Sequence, residues 1–549
     1  MIKAEKADAR KLFSFFCLLI LCAGFLAACG RGGPRIASIY PSIGRLGDPL
    51  TIRGSGFGNA RNESYVTIAG IPPTSSSYIS WSNEEIVVRV PEFGNAGLIR
   101  VHRGRNKSNP VLFSNQTVLP GRVRVNGEAD IGINPRIISV EPASAAIGSL
   151  ITIQGNNFGS SRENSMVLFS WNSSHSPAAG IPLADLVEVS GVELGYEFWS
   201  DREIRVRVPD GAASGNLIVQ THRGASRPIS FEIAGKPGTK VFRDRRSYII
   251  SYMVDVRVEQ AAIPNALYLW MPEPALSGSQ RNIRLVYRSL DPFVENHRGT
   301  SLFQFINLPA QANLGITLSY VVDVYAVETN ITNLNPVRLN SPSPVGTMYT
   351  LPSPLVPSDD SGIRTLAAQI TGPERRPYAM ARRIYDWLLS LDIQAAPLSG
   401  GALEALEERV ADSYRAALLF CALARASGIP AIPVAGILID NAQTTTRHYW
   451  AEFWLDGFGW IPVDPAFGAG AAPPDFNLRE DHRQFYFGNM DNQRVAFSRG
   501  EHSLSQMTPH GRIVQRAREH SFQNLWEEAA GGLVSHSSVW GEVIITGTF

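Results

Sequence analysis

Cysteine is scarce in this chain. Four cysteines occur in 549 residues, and Cys17, Cys22 and Cys29 lie close to the N-terminus. Only Cys421 lies in the body of the chain, so no disulfide can form within that body. Secreted proteins without disulfides depend on packed apolar cores, and a sequence of this length is expected to build several such cores in separate domains.

Net charge is also nearly absent. The formal charge is +1, and Lys and Arg are spread along the sequence. A nucleic-acid-binding surface needs clustered positive charge, so we predict no nucleic-acid partner. The histidines, among them His102, His175, His222 and His297, lack the pairwise spacing and the neighbouring carboxylates of a metal site. We therefore predict neither a metal nor a cofactor.

The N-terminus lacks an apolar run long enough to cross a membrane, which takes about 20 residues. Basic residues instead precede a shorter apolar run from Leu12 to Phe25, followed by Leu26-Ala27-Ala28-Cys29. This layout is typical of a bacterial secretion signal. The ending resembles a lipoprotein processing site, which implies a signal peptide at 1–28 and lipid attachment to Cys29. A plain secretory signal or a short anchor are the alternatives.

Processing of this kind implies a non-cytoplasmic protein, anchored by lipid to a membrane of the bacterial cell envelope. Gly30, the residue after the expected lipid attachment site Cys29, is only a weak cue to which membrane a lipoprotein is sorted. The sequence therefore leaves the membrane and its leaflet undetermined.

A long internal repeat follows the N-terminal segment. The matched pieces are Pro34-Arg35-Ile36 with Pro135-Arg136-Ile137, Ile52 to Gly58 with Ile153 to Gly159, Trp81-Ser82 with Trp199-Ser200, and His102-Arg103-Gly104 with His222-Arg223-Gly224. Alternating apolar positions bounded by Gly, Pro and Asn predict two β-sandwiches, at 34–117 and 135–233. Both copies resemble the immunoglobulin-like IPT/TIG family. The glycines do not form a phosphate loop, because such a loop opens a helix.

A third β region is predicted at 240–335. Tyr248, Ile250, Tyr252, Val254, Val256 and Val258 alternate there with polar neighbours, so they predict one buried face. A stretch rich in Pro and Ser at 336–361 predicts a linker, because proline neither continues a helix nor donates to a β ladder.

Helical spacing begins after that linker. Ala381, Ile384, Leu388 and Leu391 lie on one face of a predicted helix, and a shorter helix is predicted at 403–409. A third helix is predicted to begin near Ser413, with Asp412 as its N-cap and Gly428 at its end. Strands are predicted at 432–439, 448–454 and 460–463, so the segment 362–549 is expected to be an α+β domain.

Three motifs in this segment contain the candidate site residues. They are Asp412-Ser413-Tyr414 leading to Gly428-Ile429-Pro430, His448-Tyr449-Trp450-Ala451-Glu452, and Gly459-Trp460-Ile461-Pro462-Val463-Asp464-Pro465. They resemble, in the same order, the motifs of the papain-like transglutaminase-like superfamily, and the resemblance covers 240–549, including a β-sandwich that often precedes the core. The resemblance implies a triad at Ser413, His448 and Asp464. The superfamily has a catalytic Cys where this chain has Ser413, and the Gly that often precedes the Asp-Cys pair is missing.

The change from Cys to Ser alters the chemistry. A tuned Cys thiol has a pKa of about 3.5 to 7.5 and is stored as the thiolate, whereas a serine hydroxyl must lose its proton during attack, to a well-placed histidine. Cys421 cannot replace the missing thiol, because eight residues of helix place it about 12 Å further along the axis. We expect it to be a buried apolar residue.

The sequence thus predicts N-terminal all-β immunoglobulin-like sandwiches followed by an α+β transglutaminase-like domain. We expect the sandwiches to act as spacers. The first hypothesis for function is non-catalytic binding of protein or peptide at a degenerate site. The alternatives are an active amide acyltransferase or peptidase that uses Ser413, and a structural or adhesive surface lipoprotein. The substrate or partner and the oligomeric state cannot be read from the sequence.

Overall fold

The computed structural model describes residues 33–41, 43–44, 46–68, 70–91, 97–115, 134–163, 165–171, 186–191, 195–235, 238–331 and 344–549. The chain divides into two compact units, 1–117 and 118–549. The predicted signal peptide, Cys29 and residues 336–343 of the predicted linker lie outside the described residues. Within the described residues, no helix has both the length and the apolar character needed to span a bilayer.

The first unit is a sandwich of two sheets. Its strands are β1 (Arg35–Tyr40), β2 (Ile43–Gly44), β3 (Pro49–Ser55), β4 (Tyr65–Ile68), β5 (Tyr78–Trp81), β6 (Glu85–Arg89), β7 (Gly97–Arg103), β8 (Asn106–Lys107) and β9 (Val111–Asn115). One sheet has the order β1-β3-β6-β5 and the other β2-β9-β7-β4, with β8 paired to β7. Apolar side chains of both sheets, such as Ile52 and Val101, fill the space between them. Gly54 allows β3 to approach β1, because a Cβ there would lie 2.0 Å from the Arg35 carbonyl oxygen.

The second unit begins with a similar sandwich. Its strands are β10 (Arg136–Glu141), β11 (Ser144–Ala145), β12 (Leu150–Asn156), β13 (Met166–Trp171), β14 (Leu186–Glu188), β15 (Tyr196–Trp199), β16 (Glu203–Arg207), β17 (Ala212–Thr221), β18 (Gly224–Ala225) and β19 (Ile229–Ile233). The sheet orders are β10-β12-β16-β15 and β11-β19-β17-β13-β14, with β18 paired to β17.

The paired tryptophans play the same part in both sandwiches. Trp199 Nε1 donates to the Phe158 carbonyl oxygen at 3.2 Å, and Trp81 Nε1 donates to the Gly58 carbonyl oxygen at 3.1 Å. Each indole therefore ties the Gly-rich turn to the strand that carries the tryptophan. The repeat read from the sequence is a structural repeat.

The third β region contains β20 (Gly238–Pro272), β21 (Gln280–Arg288), β22 (Val294–His297), β23 (Thr300–Ile306) and β24 (Asn313–Ile331). These strands share one sheet, in the order β21-β24-β20-β23-β22. The alternating residues from Tyr248 to Val258 are all buried, as their spacing predicted. They pack in one core with Ile316, Leu318 and Val322 of β24.

The remaining chain supplies the helices and a second, smaller sheet. The helices are α1 (Pro344–Met348), α2 (Ser361–Thr371), α3 (Pro377–Leu388), α4 (Ala402–Glu408), α5 (Ser413–Ala426), α6 (Pro465–Gly468) and α7 (His482–Phe485). The strands are β25 (Asp392–Ile393), β26 (Val410–Ala411), β27 (Ala431–Ile439), β28 (Thr445–Leu455), β29 (Gly459–Val463), β30 (Arg494–Arg499), β31 (Arg512–Val514), β32 (Glu527–Trp540) and β33 (Ile544–Thr548). A four-stranded sheet has the order β29-β28-β27-β30. The predicted fold class is confirmed.

Two features of the structure bear on the predicted linker and the predicted last domain. Residues 344–348 form α1, so the stretch rich in Pro and Ser is folded in part. The C-terminal strands β32 and β33 pair with β20 and thereby join the sheet of the third β region. The last strands of the segment 362–549 thus belong to the same sheet as residues 238–331, a long-range pairing that strand patterns do not reveal.

The second sandwich packs directly against the helical domain. The backbone N–H of Gly457, in the turn between β28 and β29, donates to the Ile147 carbonyl oxygen at 3.2 Å. Lys240 of β20 donates to both carboxylate oxygens of Asp210 at 2.9 Å, which joins the third β region to the same sandwich. One continuous core contains Trp171, Phe242, Val327, Trp454 and Trp460. The second sandwich therefore shares an apolar core with the domain that follows.

This shared core predicts that residues 118–549 unfold together. Trp454 is buried and meets Trp460 edge to face, with 5.3 Å between the ring centroids. We expect Trp454→Ala to cost about 3 to 5 kcal/mol and to lower the whole calorimetric transition of this unit. The control is Trp81→Ala in the first unit, which should leave that transition unchanged. Separate unfolding of the second sandwich in the Trp454→Ala variant would contradict the shared core.

Candidate functional site

The first residue of α5 is Ser413, and Asp412 caps the helix. The Asp412 Oδ1 atom accepts a hydrogen bond from the Arg415 backbone N–H at 2.9 Å. Ser413 is half-buried, whereas the residues from Tyr414 to Arg425 are buried. The first N–H groups of a helix have no partner within it, and the helix dipole adds positive potential there. The position of Ser413 is therefore suited to stabilise a developing oxyanion.

Charged side chains fix the start of α5. The Asp412 Oδ2 atom accepts from the Leu398 backbone N–H at 2.8 Å and also from Arg518. The guanidinium of Arg415 is buried and pairs with Glu408 at 2.6 Å. These contacts anchor the helix start to the loop before α4 and to the C-terminal segment, so Ser413 is held on a rigid element.

His448 and Asp464 form a buried pair. The His448 Nε2–H donates to Asp464 Oδ2 at 2.7 Å, from the centre of β28 to the residue that follows β29. Asp464 is fully buried, and its Oδ1 accepts from the Phe467 backbone N–H at 3.0 Å, which caps α6. The ring of Phe467 lies 4.8 Å from the imidazole, between centroids. The carboxylate thus sets the orientation of the imidazole and directs its Nδ1 away from Asp464.

Arg494 completes this arrangement, and the sequence analysis did not identify it. Its Nη2 donates to Asp464 Oδ2 at 2.9 Å, and its Nη1 pairs with Asp491. Burial alone would raise the pKa of Asp464, but the attraction of His448 and Arg494, with the hydrogen bonds to the carboxylate, lowers the pKa of this carboxyl. An Arg in the apolar run Arg494-Val495-Ala496-Phe497 was the available signal, since a buried Arg needs a carboxylate partner.

The structure brings the start of α5 to the strand that carries His448. The ring of Tyr414, next to Ser413, lies 4.9 Å from the ring of Tyr449, next to His448. Phe522 packs against both tyrosines. Within the described residues, no hydrogen bond joins the Ser413 hydroxyl to His448. The hydrogen bond between His448 and Asp464 is therefore formed, whereas the described residues show none between Ser413 and His448.

Cys421 lies inside the core of the helical domain. It is fully buried, among residues such as Leu418 and Phe453. Burial raises the pKa of its thiol to about 12. The expectation that it is a buried apolar residue is confirmed, and no group of three His, Cys, Asp or Glu side chains that could hold a metal occurs among the described residues.

Family models match two parts of the chain. The model of the transglutaminase-like superfamily matches residues 364–465, a range that contains Ser413, His448 and Asp464. The model of the IPT/TIG domain matches residues 34–117 and 135–174. The chain contains a transglutaminase-like domain and IPT/TIG domains. The sandwiches and the α+β fold described above agree with both assignments.

Individual relatives cover shorter parts. An uncharacterized protein of Haemophilus influenzae is 27% identical over 174 residues, which are 25% of this chain and 46% of that protein. A cyclomaltodextrin glucanotransferase of Paenibacillus macerans is 29% identical over 129 residues, 23% of this chain and 16% of that enzyme. The chain therefore spans less than half the length of these curated relatives.

Solved structures show a further likeness. A crystal structure described as a "Putative Cysteine Protease from Cytophaga hutchinsonii" aligns with 57% of this chain and 91% of its own, at 17% identity and a TM-score of 0.35.

The burial of Cys421 predicts that its thiol does not react in the folded protein. Only the thiolate is nucleophilic, and a thiol with a pKa of about 12 is almost entirely protonated at pH 8. We expect iodoacetamide to label this position only after denaturation, as measured by peptide mass spectrometry. The Cys421→Ser variant is the control for the assignment. Rapid labelling of the native protein at Cys421 would contradict its placement in the core.

The Asp464 network predicts a large loss of stability when the carboxylate is removed. Asp464→Ala leaves Arg494 and His448 buried without this partner, which should cost about 3 to 5 kcal/mol in urea unfolding. Asp481→Ala is the matched control, because Asp481 forms an exposed pair with Arg479, and such pairs contribute about 1 kcal/mol or less. Equal effects of the two substitutions would contradict the role of Asp464.

Proposed function

We propose that this protein is a lipoprotein of the bacterial cell envelope whose transglutaminase-like domain binds protein or peptide without transferring acyl groups. The observation that carries this proposal is a complete His448–Asp464 pair beside a helix start that offers a hydroxyl in place of a thiol. Such a site keeps the histidine, the carboxylate and the helix start, but it lacks the thiol nucleophile that the superfamily uses.

The state of Ser413 supports binding over catalysis. A serine nucleophile requires an imidazole within hydrogen-bond reach and an aligned oxyanion hole. Ser413 carries a hydroxyl, which is a weaker nucleophile than the thiol of the superfamily, and the helix start presents backbone N–H groups that can bind a carbonyl oxygen. We infer that a peptide carbonyl is held at the start of α5 and is not attacked.

The membrane location rests on the N-terminal sequence. Leu26-Ala27-Ala28-Cys29 after a basic and apolar segment supports lipid attachment at Cys29. The first IPT/TIG domain then lies between this anchor and the larger unit along the chain. Envelope proteins or peptides are the partners that this location favours.

Acyl transfer by Ser413 is the second candidate function, and the orientation of His448 favours it. With Nε2 bound to Asp464, the Nδ1 atom is the nitrogen left to accept a proton. In that reaction the Ser413 oxygen attacks an amide carbon and its proton passes to His448 Nδ1. The amine then leaves with this proton, and water or a second amine releases the acyl group from serine.

The test compares the unaltered protein with Ser413→Ala and Ser413→Cys on a defined library of glutamine-containing peptides. Mass spectrometry measures both the peptides retained on the protein and the products of hydrolysis or transfer. We expect retention without turnover by the unaltered protein and by Ser413→Ala. Ser413→Cys should gain measurable turnover, because a thiol loses its proton far more readily than a hydroxyl.

Two results would contradict the proposal. Turnover by the unaltered protein that Ser413→Ala abolishes would establish a serine enzyme. Failure of all three forms to retain any peptide would favour a structural or adhesive protein. Ser413→Tyr, which fills the helix start, is the control for the place of binding and should reduce retention.

A further inference from the structure

One short segment near the C-terminus contacts both halves of the candidate site. Residues 518–522, the strap, lie between β31 and β32 and form neither a helix nor a strand. They lie outside residues 364–465, the range that the transglutaminase-like family model matches. The strap contacts the residues that directly precede and follow Ser413 and His448 in the sequence.

Arg518 makes the contacts of the strap with the start of α5. One amino group of its guanidinium donates to Asp412 Oδ2, and the other donates to the Gly400 carbonyl oxygen at 2.9 Å. The guanidinium carbon lies 4.2 Å from the centre of the Tyr414 ring. Asp412 precedes Ser413 and Tyr414 follows it. A planar guanidinium that bonds at its edge and stacks on its face has a defined orientation, so Arg518 fixes both neighbours of Ser413.

Glu519 makes the contacts of the strap with β28. Its carboxylate pairs with Arg447 at 3.0 Å, and its backbone carbonyl oxygen accepts from the Tyr449 hydroxyl at 3.0 Å. Arg447 precedes His448 and Tyr449 follows it. Two consecutive residues of the strap therefore connect the neighbours of Ser413 to the neighbours of His448.

Aromatic packing holds the strap between the site and the third β region. The ring of Phe522 lies 5.8 Å from that of Tyr414 and 5.6 Å from that of Tyr449, between centroids. The buried ring of His520 lies 5.9 Å from that of Tyr252 on β20. Ring pairs at such distances stabilise a packed arrangement. The strap is therefore packed against the third β region as well as against the candidate site.

The backbone of Arg518 has an unusual conformation. Its φ of +60° lies in the left-handed region, which is unfavourable for a residue with a Cβ atom. Such a conformation persists where the surrounding contacts determine it, and it is frequent at functional sites. At this point the strap passes from α5 to β28, because Arg518 contacts the first element and Glu519 the second.

We propose that the strap sets the separation and the orientation of Ser413 and His448, and that Arg518 is its positioning residue. Arg518 acts through Asp412 and Tyr414, and Glu519 transmits the same constraint to β28. This role rests on the site of the proposed function. It makes the site dependent on a C-terminal segment outside the range that the family model matches, and on the sheet against which that segment packs.

The first test measures hydrogen exchange by mass spectrometry in the full chain, at the segments 412–418 and 445–450. We expect Arg518→Ala to raise the exchange rate about tenfold in both segments, the size expected for the loss of a hydrogen bond between charged groups. The rise at 445–450 is decisive, because the contacts of Arg518 lie at α5. Tyr449→Phe removes the donor to Glu519 and should in turn raise exchange at 412–418.

Arg409→Ala is the matched control. Arg409 also has a left-handed backbone, with a φ of +56°, and its guanidinium carbon lies 5.0 Å from the centre of the Trp387 ring. It lies four residues before Ser413 but bonds to Ser390, so its removal should leave exchange at 445–450 unchanged. Arg518→Lys keeps a cation beside Asp412 and should recover part of the protection in both segments.

The NMR signals of the His448 ring give a second readout, because a loss of overall stability alone does not shift the signals of the folded protein. His448→Gln identifies them. We expect Arg518→Ala to shift these signals, since β28 is no longer held to α5. Phe522→Leu should shift them as well, without any change in charge, whereas Arg409→Ala should leave them in place.

Faster exchange confined to 412–418 in Arg518→Ala would overturn the inference. So would His448 signals that stay in place in the folded Arg518→Ala and Phe522→Leu proteins. If Arg518→Ala fails to fold, Tyr449→Phe provides the same comparison from the side of β28. Neither measurement uses a peptide ligand. A failure of peptide binding therefore affects the proposed function alone, and a failure here affects the role of the strap alone.

Discussion

The carboxylate of Asp464 is the group on which the site depends. One oxygen caps α6 through the Phe467 N–H, and the other holds both His448 and Arg494. Three separate parts of the chain meet at this side chain, and it is fully buried. Because burial of a charge is costly unless every oxygen is paired, the surrounding strands must stay in register for the carboxylate to be satisfied. The orientation of the histidine follows from the same requirement.

The architecture around the site is less modular than its domain names suggest. The second IPT/TIG sandwich, the long strand β20 and the helical domain share apolar cores. The C-terminal strands β32 and β33 pair with β20 and so belong to the sheet of the third β region. The transglutaminase-like domain is thereby supported by strands from both sides of its sequence, and it shares apolar cores with the second sandwich and the third β region.

Local features of the chain could be predicted well from the sequence. The N-cap at Asp412, the helix that ends before Gly428 and the strands around His448 and Asp464 depend on neighbouring residues and on apolar periodicity. The contacts of Arg494 and the pairing of β32 could not be predicted in this way, because they join residues far apart in the sequence. The linker was predicted from its prolines, yet α1 forms within it, since Pro344 stands at the first helical position, where no N–H is needed.

The central claim is that Ser413 lies at a helix start beside an intact His448–Asp464 pair and does not act as a nucleophile. The most direct test is intact-mass spectrometry of the unaltered protein, quenched with acid during incubation with a glutamine peptide. A serine nucleophile forms a covalent acyl group on Ser413 in this reaction. The account predicts that the mass of the protein stays unchanged, while Ser413→Cys gains the mass of the acyl group. An acyl group on Ser413 of the unaltered protein would contradict it.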